Sequence, residues 1–154
     1  HLRAGDRCSV EPYLNCGHCH ACLRGATNCC ETLSVLGVHC DGGMRERMIL
    51  PDAKLHRCNA LTFEQLALVE TLGIGCHAVN RAAVNLDDEV LIIGAGPIGL
   101  TVLEFARAVG ARITVLEMSE KRRAFVTENY AGVEVVPSLA DDPRFQIVFS
   151  SIAP

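Results

Sequence analysis

The sequence predicts an α/β protein, in which a β-rich segment with a metal lobe precedes a partial, doubly wound parallel sheet. Strand-like and helix-like segments alternate from Glu89 onward, which is typical of parallel strands joined by crossover helices. A glycine-rich loop directly follows the first of these strands. Five cysteines lie within residues 16 to 30, among residues that predict loops and short strands.

The first part of the chain is predicted to hold short strands between turns. Turn residues at Gly5-Asp6 precede the first strand, and Pro12 follows its end. The expected strands are Arg7 to Glu11, Met44 to Leu50 and Leu55 to Cys58.

The character of the sequence changes at residue 61, so the domain boundary is predicted between residues 60 and 61. Thr62 is a predicted helix N-cap, with Gln65 as its capping-box partner. This helix is expected to end near Val69, and a second helix to cover Gly75 to Val84. The strands and helices expected after it are Val90 to Ile93, Pro97 to Val109, Arg112 to Glu117, Ser119 to Glu128, Val133 to Val136 and Gln146 to Ser150.

Composition and charge argue against several classes of protein. A formal net charge of −4 gives no electrostatic reason to bind nucleic acid or an anionic membrane. No apolar run approaches the roughly 20 residues of a membrane span, and the start lacks the apolar region of a signal peptide. Nine cysteines is an odd number, unlike most secreted disulfide scaffolds. We therefore expect no nucleic-acid or membrane partner and a reducing, cytoplasmic setting.

The cysteine-rich loop has the spacing of a zinc site. Cys16, Cys19, Cys22 and Cys30 give C-x2-C-x2-C-x7-C, and two intervening residues let paired thiolates turn toward one ion. Four thiolates close a tetrahedral shell, so the zinc is expected to be structural and to stabilise a loop with few apolar residues.

Other interpretations of these cysteines are weaker. An iron–sulfur cluster favours the continuation x3-C-P, whereas here the fourth cysteine comes seven residues later and precedes Glu31. His18 and His20 could bind metal, although four thiolates already suffice, and Cys29 is interpreted as a bystander. The remaining cysteines are expected to be small buried residues, namely Cys8, Cys40, Cys58 and Cys76.

The glycine loop GAGPIG, from Gly94 to Gly99, predicts a dinucleotide-binding turn because it follows a buried strand and opens a helix. Gly94 permits the tight turn, Gly96 lets a pyrophosphate approach the backbone, and Gly99 allows close packing of helix and strand. Pro97 suits the first helical position, where exposed N–H groups favour a phosphate, and Ile98 begins the apolar stripe of the helix that faces the sheet; both are included in the predicted cofactor-binding set. The alternative is a strand–helix turn without a ligand.

Glu117 is the predicted selector of the nucleotide. It ends the next strand, 18 residues after Gly99, where a carboxylate can accept both ribose hydroxyls of NAD and repel the 2′-phosphate of NADP. Arg122 and Arg123 argue for NADP instead, because guanidinium groups could bind that phosphate. The alternative is that both arginines lie in a solvated first turn of a helix. We favour NAD.

Together these motifs resemble the zinc-containing medium-chain alcohol dehydrogenases, in the branch that acts on polyols, sugar acids and threonine. The matching stretches are GDRCSVEPYLNCGHCHACLRGATNCC, GVHCDGGMRERMILP, LTFEQLALVETLGIGCHAV and DEVLIIGAGPIGL. The resemblance implies a GroES-like domain over residues 1 to 60 and a Rossmann domain over residues 61 to 154. It also implies that the four cysteines hold the structural zinc, and that the glycine loop and Glu117 hold NAD.

The resemblance further implies that Glu70 lies at a catalytic zinc, as a ligand or as the partner of its bound water. Without the resemblance, Glu70 is interpreted as a surface glutamate that ends a short helix. The other catalytic ligands of the family precede the Gly-Asp-Arg turn and are not in this chain. We therefore expect the chain to be a fragment of a homo-oligomeric parent, and to be inactive by itself.

The function predicted for the parent protein is hydride transfer between a secondary alcohol and NAD. The alcohol is expected to be a polyol, a sugar acid or an amino alcohol. A zinc-stabilised dinucleotide-binding module without catalysis is the alternative, and an iron–sulfur electron carrier is the third.

Overall fold

In the computed structural model, which describes residues 2–139 and 144–151, the chain divides into two units within one long helix. The first unit ends at Glu70 and the second begins at Thr71. Within the described residues, no helix is both long enough and apolar enough to cross a membrane.

The first unit contains two small antiparallel strand pairs. Strand β1 pairs with β4, so that Val10 lies opposite Leu55, and β2 pairs with β3, so that Tyr13 lies opposite Val35. A one-turn helix α1 lies in the cysteine loop, and short 3₁₀ turns cover Thr27–Cys29 and Asp52–Lys54. The labelled elements are β1 Cys8–Val10, β2 Tyr13–Leu14, α1 His20–Leu23, β3 Ser34–Val35 and β4 Leu55–Arg57.

The strand predicted from Met44 to Leu50 is absent, and this prediction was wrong. The side chains of Met44 and Ile49 are fully exposed, and the segment has no regular secondary structure. Local strand propensity is too weak to hold an extended segment that gains no strand partner and no apolar surface to cover.

Helix α2, Phe63–Arg81, is continuous where two helices were predicted. Its start was predicted correctly: the Thr62 N–H donates to Gln65 Oε1 at 2.9 Å, and the Gln65 N–H donates to Thr62 Oγ1 at 3.3 Å. The expected break between Val69 and Gly75 does not occur. A Cβ at Gly75 would lie 2.6 Å from the Thr101 carbonyl carbon, so this glycine permits close helix packing rather than ending the helix.

The second unit is a four-stranded parallel sheet in the order β7-β6-β5-β8, and it confirms the predicted α/β class. Helices α3 and α4 follow β5 and β6. The remaining elements are β5 Glu89–Ile93, α3 Pro97–Val109, β6 Arg112–Leu116, α4 Glu120–Asn129, β7 Glu134–Val136 and β8 Ile147–Ser150. The sequence placed each of them within one or two residues.

The core of the second unit lies between the sheet and α3. Val90 and Ile92 of β5 and Val115 of β6 are at most 1% exposed, as are Leu103 and Ala106 of α3. Strands covered on both faces are continuously apolar, which explains why β5 was recognisable from sequence. This packing fixes the carboxyl ends of the strands, where the glycine loop begins.

Candidate metal lobe and cofactor site

The four predicted cysteines are brought together in the first unit. The Sγ atoms of Cys16, Cys19, Cys22 and Cys30 all lie within 4.8 Å of one another, and those of Cys16 and Cys22 are 4.0 Å apart. Two thiolates on a tetrahedral zinc, each at about 2.3 Å, are separated by about 3.8 Å. The donor set and its spacing therefore fit a zinc ion held by four thiolates.

Backbone amides support the sulfur atoms of this lobe. The N–H of Cys19 donates to Cys16 Sγ and the N–H of Cys16 donates to Cys30 Sγ, both at 3.3 Å. The N–H groups of His18 and Cys19 lower the pKa of the Cys16 thiol to about 6, and the Cys16 N–H likewise lowers the pKa of Cys30. Burial raises the pKa of Cys22 to about 11. The backbone amides thus stabilise the thiolate form of Cys16 and Cys30 relative to an ordinary cysteine.

Cys29 and the two histidines lie outside the four-sulfur cluster. Cys29 is exposed, and the Nδ1–H of His18 donates to the Cys16 carbonyl oxygen at 2.9 Å. His20 lies in α1. The prediction that the other cysteines are buried was wrong: Cys40 is exposed, and the rest are half-buried, because they lie on short strands, loop ends and a helix surface.

Glu70 lies inside helix α2, not at a helix end as predicted, since the helix continues for eleven residues beyond it. The Tyr13 hydroxyl donates to Glu70 Oε1 at 2.6 Å. This hydrogen bond, with burial second, raises the pKa of Tyr13 to about 12. Sequence reasoning missed Tyr13, because 57 residues separate it from Glu70 and no local pattern links the two.

A cavity of about 310 Å³ lies between β1 and α2, and Glu70 is the acidic residue of its lining. Cys8 lines the same cavity from strand β1, across from helix α2. A carboxylate, oriented by a tyrosine and facing a cavity in the first unit, is available to a cation or to a hydrogen-bond donor.

The glycine loop has the geometry that its glycines predicted. Gly94 has φ +97°, in the left-handed region, and its N–H donates to the Leu116 carbonyl at 2.8 Å. A Cβ at Gly99 would lie 1.9 Å from the Gly94 carbonyl oxygen, so only glycine fits there. At Gly96, in contrast, a Cβ would have no atom within 4 Å, and the space beside the backbone is open. Pro97 is the first residue of α3, and Ile98 follows it, half-buried.

Glu117 is buried beside this loop, and both of its carboxylate oxygens accept backbone hydrogen bonds. Oε2 accepts from the Ala95 N–H and Oε1 from the Ser119 N–H, each at 2.8 Å. Burial alone would raise the pKa of Glu117, but these amides and the Arg122 guanidinium outweigh it, so the pKa is lowered.

The two arginines after Glu117 have different surroundings. Arg122 Nη1 lies 3.7 Å from Glu117 Oε2, and its side chain remains 58% exposed. Arg123 instead donates to the carbonyl oxygens of Glu117 and Met118, at 3.0 and 2.6 Å. Arg122 is therefore the arginine of the pair that can reach a ligand, while Arg123 supports the backbone at the end of β6.

A cavity of about 520 Å³ joins these residues, within the range of small-molecule sites. Gly94, Gly96, Glu117 and Arg122 line it, whereas Pro97, Ile98 and Gly99 lie behind the lining in the helix start. Sequence reasoning missed six further lining residues: Ile93, Leu116, Met118, Pro137, Ser138 and Ser151. All six lie at or just after the carboxyl ends of predicted parallel strands, and that position was a usable signal because such ends meet at one edge of the sheet.

The geometry at this edge fits a dinucleotide. The loop leaves space at Gly96 for a phosphate, the start of α3 offers N–H groups and its dipole, and a carboxylate lies beside them. Two regions of the chain match family models: residues 1–60 match the alcohol dehydrogenase GroES-like domain, and residues 89–139 match the pyridine nucleotide-disulphide oxidoreductase family.

Individual relatives agree with these matches. An L-galactonate-5-dehydrogenase of Escherichia coli K12 is 41% identical over 140 residues, which cover 91% of this chain and 41% of that protein. The structure of an alcohol dehydrogenase from E. coli CFT073, complexed with NADH, superposes with a TM-score of 0.80 at 30% identity and covers 87% of this chain and 41% of that one.

A structure described as a zinc-binding dehydrogenase from Sinorhizobium meliloti 1021, bound to NADP, superposes with a TM-score of 0.82 at 30% identity. It covers 91% of this chain and 42% of that one. The present chain thus spans about two fifths of the length of the relatives it matches.

The cysteine lobe, the GroES-like match and the parallel sheet with its glycine loop together define a class of protein that combines a four-thiolate metal lobe with a dinucleotide-binding fold. Over most of its length the chain is similar to zinc-type alcohol and sugar-acid dehydrogenases, and the four-cysteine cluster and the glycine loop fit zinc and a nicotinamide dinucleotide as cofactors.

Proposed function

We propose that this chain forms part of an oxidoreductase that transfers hydride between a secondary alcohol and NAD. The observation that carries the proposal is a single cavity that joins Gly94, Gly96 and the buried carboxylate of Glu117. The alcohol is proposed to be a polyol, a sugar acid or an amino alcohol, and the similarity to an L-galactonate-5-dehydrogenase supports the sugar acid.

The cofactor is proposed to bind along the edge of the sheet. Its pyrophosphate approaches Gly94 and Gly96, at the helix start that Pro97, Ile98 and Gly99 shape. The carboxylate of Glu117 accepts the ribose hydroxyls and disfavours a 2′-phosphate. Arg122, partly paired with that carboxylate, lies at the mouth of the ribose pocket and stacks against or shields the adenosine end.

The two metal roles are proposed to be separate. Cys16, Cys19, Cys22 and Cys30 hold a structural zinc, which orders a loop with little apolar surface. Glu70 serves a catalytic zinc, as ligand or as hydrogen-bond partner of its water, and Tyr13 orients the carboxylate by its 2.6 Å hydrogen bond. A catalytic zinc supplies Lewis-acid chemistry that lowers the pKa of an alcohol hydroxyl.

The organisation of the protein is proposed to follow the family. The GroES-like part covers residues 1 to 60 and the Rossmann part residues 61 to 154, in a homo-oligomeric enzyme of the cytoplasm. Reduced cysteines, of which four share one metal lobe, support a reducing compartment.

The proposal is tested by titrating the purified protein with NADH and NADPH and following nicotinamide fluorescence. We expect NADH to bind more tightly than NADPH. Glu117→Gln should reduce that preference, since it removes the charge that repels a 2′-phosphate. Arg123→Gln is the comparison, because Arg123 contacts backbone carbonyls rather than the cavity.

Oxidation of sugar-derived alcohols, together with metal counting, separates the enzyme from a non-catalytic module. Zinc and NADH binding without any alcohol oxidation by the complete enzyme would favour the module. Failure to bind either nucleotide would contradict both.

A further inference from the structure

Ser151, which directly follows β8, donates a hydrogen bond to Gly94 of the glycine loop, 57 residues earlier in the chain. Its hydroxyl lies 2.9 Å from the Ile93 carbonyl oxygen and 3.1 Å from the Gly94 carbonyl oxygen, and it donates to this pair. Its backbone N–H also donates to the Ile93 carbonyl at 3.0 Å, which extends the β5–β8 ladder by one bond. Ser151 therefore lies in a fixed position at the end of β8.

The Gly94 carbonyl belongs to the same peptide unit as the Ala95 N–H. That N–H donates to Glu117 Oε2 at 2.8 Å, from the end of β6. One peptide plane is thus held on one side by a hydroxyl that donates to its oxygen, and on the other by a carboxylate that accepts from its nitrogen. These two contacts are called the peptide clamp below.

A clamp is needed at this peptide because Gly94 has no Cβ and lies at φ +97°. A glycine restricts rotation of the following peptide less than any other residue does. The orientation of this plane sets the direction of the N–H groups that follow, toward the start of α3. A rotated plane would also move the Gly94 oxygen, which already lies close to Gly99.

We propose that Ser151 is a positioning residue of the dinucleotide site, which holds the Gly94–Ala95 peptide, together with Glu117, in the orientation that the cofactor phosphates require. The inference rests on the proposed cofactor site and adds to it the residue that directly follows β8. Ser151 also lines the cavity in which the dinucleotide is proposed to bind, so removal of its hydroxyl should weaken dinucleotide binding.

The test compares Ser151→Ala with Ser150→Ala, a matched change at the exposed neighbouring serine. Amide hydrogen exchange, measured by NMR without cofactor, reports on the clamp directly. We expect Ser151→Ala to speed exchange at Ala95 by roughly two- to tenfold, the equivalent of one net hydrogen bond. Exchange at Leu100, bonded to the Gly96 carbonyl at 2.9 Å, should stay unchanged.

NADH titration of the same proteins gives the second measurement. Ser151→Ala should raise the dissociation constant by roughly two- to tenfold, while Ser150→Ala leaves it unchanged. Ser151→Thr, which keeps the hydroxyl, should restore both the exchange rate and the affinity. Should the alanine variant fail to fold, Ser151→Cys provides the same comparison with a poor donor of similar size.

Equal exchange at Ala95 in the two alanine variants would overturn the clamp, and so would a loss of protection that extends equally through Ile92 and Val115. If the two alanine variants show the expected exchange difference but the wild-type protein does not bind NADH, the proposed function is contradicted and the peptide clamp stays supported.

Discussion

The two glycines of helix α2 offer a sharp test of the packing described here. Gly73 and Gly75 lie two residues apart in one helix, yet their surroundings are opposite. A Cβ at Gly73 would meet no atom within 4 Å, whereas a Cβ at Gly75 would lie 2.6 Å from both the carbonyl carbon and Oγ1 of Thr101. Identical alanine substitutions should therefore change stability in opposite directions.

The magnitudes follow from two effects. Alanine is favoured over glycine in a helix interior by about 0.5–1 kcal/mol, so Gly73→Ala should raise the free energy of unfolding by that amount. Gly75→Ala gains the same term, but ordinary carbon contacts are about 3.5–4.0 Å, so the helices must separate by roughly 1 Å. Such overpacking costs about 1–3 kcal/mol, which is also the expected difference between the two variants.

Urea unfolding followed by far-UV circular dichroism measures this difference, with zinc kept constant in all samples. Because the chain forms two units, the transition should be checked for a second step before a single free energy is assigned. Equal stability of the two variants, or a more stable Gly75→Ala, would refute the close approach of α2 to α3.

Three further predictions concern the site. Gly99→Ala places a Cβ 1.9 Å from the Gly94 carbonyl oxygen and should weaken NADH binding at least about tenfold, measured by fluorescence titration, with Gly43→Ala as the unaffected control. Cys19→Ser should release zinc, detected with a chromogenic chelator, and lower the melting temperature, whereas Cys29→Ser should retain one zinc. Glu117 has a folded-state pKa below its ordinary value of 4.5, so the stability it contributes is present above pH 4.5 and is lost as the pH falls through the lower, folded-state pKa. Glu117→Gln should therefore flatten the acid side of the stability profile, and an unchanged profile would contradict the assigned hydrogen bonds.

Much of the second unit could be predicted from sequence, because its signals are local. Pro97 fixes the backbone at the start of α3, and Gly110, at φ +91°, ends that helix in the left-handed region. The apolar run of β5 reports burial on both faces, and the glycine spacing places the turn after it. The cysteine spacing likewise predicted a cluster that the fold does bring together.

The first unit was harder to predict because its strands are short and their partners are distant. The segment from Met44 to Leu50 has strand-forming residues but gains no partner, and β2 and β3 were missed because two-residue strands carry almost no periodic signal. The break expected in α2 between Val69 and Gly75 does not occur, because the helix continues through both glycines. Gly75 lets α2 pack closely against Thr101, and sequence alone does not show that contact.

The sequence by itself determined the chemistry of this protein: four thiolates at metal spacing, a glycine turn that can admit a phosphate, and an acid at the end of the next strand. The tertiary structure decided which other residues support that chemistry. Tyr13 reaches Glu70, and Ser151 reaches Gly94, each across 57 residues. The physical reason is that metal spacing and turn geometry are set by neighbouring backbone bonds, whereas a hydroxyl finds its distant acceptor only after strands and helices have packed.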